Sequence, residues 1–349
     1  MRAWIFFHRD LAIEEPEAAE IFRFQETAQR LDIELEILKP QDFELIVGVR
    51  RGWDASYRER SLEKPDFIIP RTGSETSYFT LAVLRHFERQ GVHMVNGADA
   101  IECVADKLHS LQQLASHGIP IPRTILGKFP VDIDLIDREL GFPVVVKTVR
   151  GTRGENVMLC DSREKFGELA GLLGGARPGG DLIFQRYIGA SHGRDVRLFV
   201  VGGKVVATME RRAANGGFRA NTSQGGSAVR YDPPAEMRAL AIRVAEVLQL
   251  DVAGVDILFD EHGFRVCEAN SAPGFKSLEA ACGIDVPETI FRQALRRVQM
   301  PQGLWRRATS FLKPRGGKRQ SSSPSPPRAN HRRTSAARPS REVWVGQDI

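Results

Sequence analysis

One stretch of this chain, AGVDILFDEHGFRVCEANSAPG over residues 253–274, restricts the available folds more than any other. Two runs rich in β-branched and aromatic residues flank a polar, Gly-containing break, which predicts a hairpin with strands over 253–259 and 264–269. Asp256 falls inside the first run, and a carboxylate taken out of water needs a cation or strong donors beside it. A register that pairs Leu258 with Val266 sets Asp256 against Glu268, and the two-residue side-chain period brings Asn270 to the same face. A two-residue turn would put the two carboxylates on opposite faces instead. Three oxygen-bearing side chains at one spot suit magnesium, which keeps several waters and bridges to phosphate oxygens. The plain alternative pairs one carboxylate with an arginine and leaves the other in solvent.

The rest of the chain divides by pattern. With 349 residues it exceeds one ordinary domain, so two or three subdomains are expected. Over residues 1–100 short apolar runs (3–7, 33–38, 67–70) alternate with a helical period at Ile21, Phe24, Ala28 and Leu31, and Pro16 suits a first helical turn. That β-α-β order predicts a small parallel sheet covered by helices, an N-terminal α/β domain. Residues 101–188 predict a small α+β lobe: a helix over 106–117 closed by Gly118, strands over 143–149, 156–160 and 182–186, and a helix over 162–173. Residues 189–300 predict a larger lobe, with two strands meeting at Gly202-Gly203, a Gly/Asn/Ser-rich loop over 213–227, a helix over 234–248, the hairpin, and a last helix over 286–298. Residues 313–340 have almost no large apolar side chain, and residues 301–349 predict disorder.

Charge and cysteine content exclude some classes. Of 49 Lys/Arg and 44 Asp/Glu, residues 305–349 hold 11 and 2, so the rest of the chain, 38 against 42, is slightly acidic. The formal net charge of +5 is thus a property of the tail. None of the four cysteines forms a CxxC pair, which argues against a zinc ribbon or a disulfide framework and fits a reducing cytoplasm. The apolar opening at 3–7 is too short for a signal segment, and no run approaches the roughly 20 apolar residues that span a bilayer. No membrane segment is expected.

Two further segments carry chemistry. In FPVVVKTVRGTRGENV, residues 142–157, an apolar strand delivers Lys147 and then turns through Gly151 and Gly154. Such glycines let backbone N–H groups approach phosphate oxygens, and the lysine adds a fixed positive charge. Neither a Walker A nor a GxGxxG pattern is present, so the segment is no P-loop or Rossmann site; an exposed lysine before an ordinary loop is the alternative. In GRDVRLFVVGGKVVATMERRAANGGFRANTSQGGSA, residues 193–228, Arg211, Arg212, Arg219 and Asn221 stand at or beyond the end of a strand pair. Arginine forks suit carboxylate and phosphoryl oxygens; unengaged surface arginines are the alternative.

Taken in order, DKLHSLQQLASHGIPIPRT, FPVVVKTVRGTRG, QRYI, the 193–228 segment and the 253–274 segment resemble the RimK-like branch of the ATP-grasp ligases, and IIPRTGS at 68–74 resembles that family's first domain. The resemblance spans about residues 66–298. It implies an ATP-grasp fold, α/β and α+β, behind an N-terminal pre-ATP-grasp α/β domain. It implies an ADP-forming ligase that joins an amino acid, glutamate as a rule, to the carboxylate of a protein such as ribosomal protein S6, or of a small molecule, through an acyl phosphate. ATP and Mg2+, or Mn2+, are the implied cofactors, and a homo-oligomer the implied assembly. By the same resemblance Lys107 and Lys147 contact ATP phosphates beside Gly151 and Gly154, while Gln185, Arg186, Tyr187 and Ile188 lie along adenine and Asp195 holds the ribose end. Asp256, Glu268 and Asn270 match the magnesium ligands, Arg219 and Asn221 match an FRxN motif on the nucleotide side, and Arg211 or Arg212 faces the acyl phosphate. Two positions depart from the family pattern: Arg186 stands where a glutamate is usual, and Asn156 near a usual glycine.

A reading from another class makes the chain a nucleotide-binding, ribosome- or RNA-associated factor anchored by its basic tail, because Lys/Arg-rich segments attract phosphate backbones. Only Trp344 among aromatics follows Phe311, which leaves little for base stacking.

Overall fold

Every residue from Ala3 to Phe6 is buried, as a parallel strand covered on both faces requires. The computed structural model describes residues 1–300 apart from 12–15, 50–51, 74–75, 129, 150, 152–156, 177–180 and 221–224. The first sheet contains β1 (Arg2–Phe6), β2 (Glu34–Leu38), β6 (Phe67–Pro70) and β7 (His93–Met94), all parallel, in the order β2-β1-β6-β7. Helix α1 (Pro16–Arg30) lays Ile21, Phe24 and Ala28, spaced three and four apart, over Ala3 and Ile5 on one face. On the other face Trp4 and Phe6 meet Leu84 and Phe87 of α2 (Tyr78–Arg89), whose N-cap Ser77 accepts the N–H of Thr80. The alternation thus predicts three of the four strands of this sheet, β7 not being among the expected elements. It does not predict the antiparallel ribbon β3 (Phe43–Gly48), β4 (Gly52–Tyr57) and β5 (Arg60–Ser61), where exposed Ile46 and Val47 interrupt the in-out alternation.

Helix α3 (Ala98–Ala105) runs into α4 (Lys107–Ser116), where Asp106 caps by accepting from the N–H groups of Leu108 and His109 and Gly118 closes the end at φ +70. A second sheet, antiparallel in the order β10-β9-β11-β8, follows from β8 (Thr124–Gly127), β9 (Val144–Thr148), β10 (Val157–Cys160) and β11 (Leu182–Arg186). Its core face is closed by α5 (Ile133–Leu140), absent from the sequence expectation, and α6 (Arg163–Ala176). Ile136, Leu140 and Phe166 pack there against Val144, Val146 and Phe184.

The third sheet has the order β14-β13-β12-β15-β16, from β12 (Arg194–Val201), β13 (Lys204–Arg212), β14 (Ser227–Arg230), β15 (Val252–Asp260) and β16 (Gly263–Asn270). Gly202 and Gly203, both at positive φ, make the β12–β13 turn, and a Cβ on Gly202 would lie 2.4 Å from the Gln293 side chain. One sheet face buries Val196, Leu198, Val255 and Ile257 under α7 (Ala235–Val247). The opposite face packs Phe199, Val201 and Met209 with Phe275 ahead of α8 (Lys276–Cys282) and with Phe291 of α9 (Val286–Gln299). Phe24 meets Phe275 and Phe291 edge-on at 5.6 Å, so the first and third sheets share one core. Each buried Phe contributes about 1.5–3 kcal/mol. Among the described residues no helix is long and apolar enough to cross a membrane; residues 301–349, the expected disordered tail, lie outside the described residues.

Candidate active site

The second and third sheets face each other across a cleft of about 790 Å³. Lys107, Lys147, Gly151, Gln185, Arg186, Tyr187, Ile188, Asp195, Arg211, Arg219, Asp256, Glu268 and Asn270 all line it. Every predicted site residue within the described set, Arg212 excepted, therefore comes to one place. Gly154, Asn221 and the departing Asn156 lie outside the described residues.

One wall is built on β9. Val144 and Val146 point into the α5–α6 core, so the two-residue period turns Val145 and Lys147 toward the cleft. Lys147 is 5% exposed, and its ammonium has no hydrogen-bond or ion-pair partner among the described residues. A buried cation in that state calls for an anion from outside the chain. Lys107, on the first turn of α4, donates from Nζ to the Gly151 carbonyl at 2.8 Å. Burial pulls its ammonium below the usual lysine range; Glu268 opposes that shift and Lys147 reinforces it, which ties the two walls together electrostatically. Gln185 is buried and donates to Thr124 Oγ1 at 2.9 Å, while Arg186 is exposed at the strand end.

The other wall continues the face that buries Phe199 and Val201. Nearer the cleft, the same side of β12 carries Asp195 and Arg197. Cross-strand pairing sets Asp195 against Arg211, Arg197 against Asp256, and Asp256 against Glu268. Arg197 donates from Nε and Nη2 to the two oxygens of Asp256, each at 2.7 Å. Arg211 does the same to Asp195 at 2.7 Å, and its Nη2 also reaches Asp256 Oδ2 at 2.8 Å. Burial pushes the Asp256 carboxyl up, but Arg197 and Arg211 outweigh it and hold Asp256 below the usual carboxylate range. For Asp195, burial outweighs Arg211 and raises the carboxyl. Burial opposes the charge on Arg211, and the two aspartates more than restore it. The two arginines left open by the sequence are hereby distinguished: Arg211 is buried in the cleft wall, whereas Arg212, one residue on and so on the opposite face, pairs with Glu210 and has a side chain 61% exposed.

The expected hairpin register is wrong, yet the carboxylates still face each other. Leu258 pairs with Arg265, not Val266, and Asp260 with Gly263, so the turn is the two-residue kind that should separate Asp256 from Glu268. A β-bulge between Asp256 and Ile257 on the pairing ladder absorbs one extra residue of β16, Cys267, and returns Glu268 to the face of Asp256. The bulged thiol lines the cleft, and burial pushes it up to about 12, so it stays protonated.

Asn270 lies opposite Gly254 and donates to Glu268 Oε1 at 3.3 Å. Carboxylate and amide oxygens from Asp256, Glu268 and Asn270 make a hard donor set that fits Mg2+ in a cleft open to phosphate oxygens and water. Asp256 already accepts three hydrogen bonds of the roughly four a carboxylate takes, so Glu268 and Asn270 are the more open donors. Among the described residues no group of three or more His, Cys, Asp or Glu is placed to hold a metal ion.

Three cleft-organising groups escaped the sequence reading. Arg197 had a signal, since RDVRLF alternates charged and apolar residues as a strand with one ionic face would. Arg71 and Glu20 had none: Arg71 donates to Glu20 at 2.6 Å and to the Pro273 carbonyl at 3.2 Å, and Glu20 accepts the Phe275 N–H at 2.6 Å. Buried Asn96 donates to the carbonyls of Val252 and Ser271 at 2.8 and 2.7 Å and accepts the Val252 N–H at 3.0 Å. These contacts tie the first sheet to the segment that follows Asn270.

Residues 104–294 match the RimK-like ATP-grasp domain and residues 12–101 the RimK PreATP-grasp domain. A probable alpha-L-glutamate ligase 1 of Shewanella frigidimarina is 42% identical over 236 residues, 67% of this chain and 78% of that protein. A probable alpha-L-glutamate ligase of Pectobacterium carotovorum is 38% identical over 265 residues, 76% and 86% of the two chains. The solved ATP-grasp ligase PsnB, complexed with a phosphomimetic variant of its minimal precursor, Mg and ADP, covers 85% of this chain and 98% of its own at a TM-score of 0.65 and 17% identity, a likeness of fold.

Proposed function

The chain belongs to the RimK-like ATP-grasp family, and on that premise we propose that it is an ATP-dependent carboxylate–amine ligase that adds L-glutamate to the carboxylate of a protein C-terminus, ribosomal S6-like, or of a small molecule. Its fold is ATP-grasp behind a pre-ATP-grasp α/β domain. The observation that carries the reading is the Lys147 side chain, buried up to an ammonium that lines the cleft without a partner among the described residues, with Glu268 and Asn270 on the other wall. A fixed cation facing hard oxygen donors suits the triphosphate of ATP with a divalent ion. Glutamate as the amino acid rests on the names of the relatives.

In this reading an oxygen of the acceptor carboxylate attacks the γ-phosphorus of ATP. The bond from that phosphorus to the bridging oxygen breaks, ADP leaves and an acyl phosphate forms. The amine of glutamate then attacks the acyl carbon; the carbon–oxygen bond to phosphate breaks, and the nitrogen loses a proton. Lys147 and Lys107 hold phosphoryl charge from positions set before the substrate arrives, so little reorganisation accompanies the transfer. Arg211, immobilised by two aspartates, faces the acyl phosphate, and Arg219 serves the nucleotide side. Tyr187, Ile188 and the backbone of Gln185 and Arg186 flank adenine, and the Arg186 departure removes a carboxylate but no backbone group. Mg2+, or Mn2+ with the same preference for oxygen, would be held by Glu268, Asn270 and Asp256 and would supply neutralisation of the phosphate charge.

The test is ADP release by the purified protein with Mg2+·ATP, L-glutamate and a short peptide ending in glutamate, with mass spectrometry of the peptide. Release that needs both L-glutamate and peptide, with a glutamyl mass gain, is expected, as is its loss in Glu268→Gln; undiminished turnover in Glu268→Gln would reject the metal assignment. Nothing in the cleft favours the non-catalytic, RNA-associated alternative, and its anchor, the basic tail, lies outside the described residues. Homo-oligomer formation is checked by light scattering.

A further inference from the structure

Arg197, on the cleft face of the third sheet, is left without a task by the nucleotide reading. Its Nε and Nη2 are fastened to Asp256, its side chain is 14% exposed, and Nη1 has no partner among the described residues. Its position differs from that of Arg211. The two guanidiniums meet on Asp256 Oδ2, but Arg211 extends from there to Asp195, the expected ribose-end residue, whereas Arg197 lies beside Gly254 and Pro273. A Cβ on Gly254 would lie 2.6 Å from Pro273 Cβ, a clash, and 3.6 Å from Arg197 Nε, an ordinary contact, so a larger residue there would press on Pro273. Pro273 in turn carries the hydrogen bonds of Arg71 from the first sheet. Arg197 thus belongs to the end of the cleft lined by Arg9, Glu20, Arg71 and Thr72, away from the Gln185–Ile188 strand end.

We propose that Arg197 is the carboxylate-binding residue of the cleft: Nη1 donates to a substrate carboxylate while Asp256 holds the guanidinium in place. The inference rests on the ligase reading above. A guanidinium already anchored by two of its nitrogens loses little freedom on binding, and a charged carboxylate is the ligand its remaining donor favours. In the ligase reading the ATP phosphates have Lys107 and Lys147 and the acyl phosphate has Arg211, which leaves the Nη1 of Arg197 for a carboxylate. Two carboxylates enter the reaction, that of the acceptor and that of the amino acid, and both share this chemistry.

The experiment measures affinities by calorimetry on protein saturated with a non-hydrolysable ATP analogue and Mg2+, with the glutamate-ended peptide in one arm and L-glutamate in the other. It also measures the affinity for the analogue itself. Arg197→Lys keeps a positive charge against Asp256 and hence the fold, but a lysine cannot hold Asp256 by two nitrogens and offer a third. The expected result is a weakening of about 10- to 100-fold in one arm, the loss of one charge-assisted hydrogen bond, with analogue affinity within about twofold of wild type. The arm that weakens identifies which carboxylate Arg197 holds. Unchanged affinity in both arms would overturn the proposal and leave Arg197 as a partner of Asp256 alone; so would a loss confined to the analogue. In either case wild-type ADP release dependent on glutamate and peptide leaves the ligase reading standing. Its absence in the wild type, by contrast, overturns both.

Discussion

On the β9 wall of the cleft the buried side chain of Lys147 carries an ammonium without a partner among the described residues; on the β12–β13–β15 wall two arginines and two aspartates, all buried but the partly exposed Arg197, neutralise one another. Both arrangements remove charge from water, but only the second compensates it within the chain. The difference assigns each wall a dependence. The lysine is left for an anion from outside the chain, whereas the network stabilises its own geometry and fixes the direction of its donors before any substrate arrives.

The largest effect should come from opening the network. Arg211→Met strands Asp195 in a buried site and should cost about 3–5 kcal/mol in urea unfolding at neutral pH. Because burial raises the folded-state Asp195 carboxyl above its unfolded value, this carboxyl favours the fold most at low pH and loses that contribution as pH rises through the folded value. Acidification should therefore recover part of the loss in the variant. A pH-independent deficit would show that Asp195 is not the stranded group.

Lys147→Met should separate stability from binding. Removing an uncompensated buried charge should leave unfolding free energy unchanged or raised by about 1 kcal/mol, while the affinity for a non-hydrolysable ATP analogue falls by about 1.5–3 kcal/mol. If this variant were destabilised as much as Arg211→Met, the contrast between the walls would be lost.

The bulge sharpens the comparison at smaller scale. Cys267→Ala keeps the extra residue of β16 and should shift unfolding by under about 1 kcal/mol with metal-dependent analogue binding intact. Deleting Cys267 should abolish that binding by turning Glu268 to the opposite face. Equal binding by both would mean that the Asp256–Glu268 pairing does not hold the metal.

The smallest effect is a slope. Burial lowers the Lys107 ammonium below its ordinary 10.5, so the unfolded chain binds more protons between the two values and stability should rise with pH across that window. Lys107→Met should flatten the slope, read as urea midpoints at alkaline pH. An unchanged slope would assign the titration to another group.

Much of this molecule was legible without coordinates. The parallel sheet follows from covered strands such as residues 3–6 and from the three- and four-residue spacing of Ile21, Phe24 and Ala28. Lys147 on a strand, and Asp256 with Glu268 on a hairpin, follow from charge set within β-rich runs, because only a compensated or functional charge persists there. These are local patterns, written in side-chain chemistry and the two periods of the backbone.

Tertiary structure decided what those periods bring together. The extra residue at Cys267 has no signature in its own sequence, yet it reverses the parity that a two-residue turn imposes on Glu268. Arg211 and Arg212 are chemically alike, and only pairing with Asp195 and Asp256 buries one of them and leaves the other in solvent. The Arg71–Glu20 and Asn96 contacts join residues hundreds of positions or well over a hundred positions from their backbone partners, where no periodicity reaches. The physical reason is the same throughout: sequence sets which face a side chain can take within its own element, but strand register and the meeting of separate sheets set which charges are neighbours.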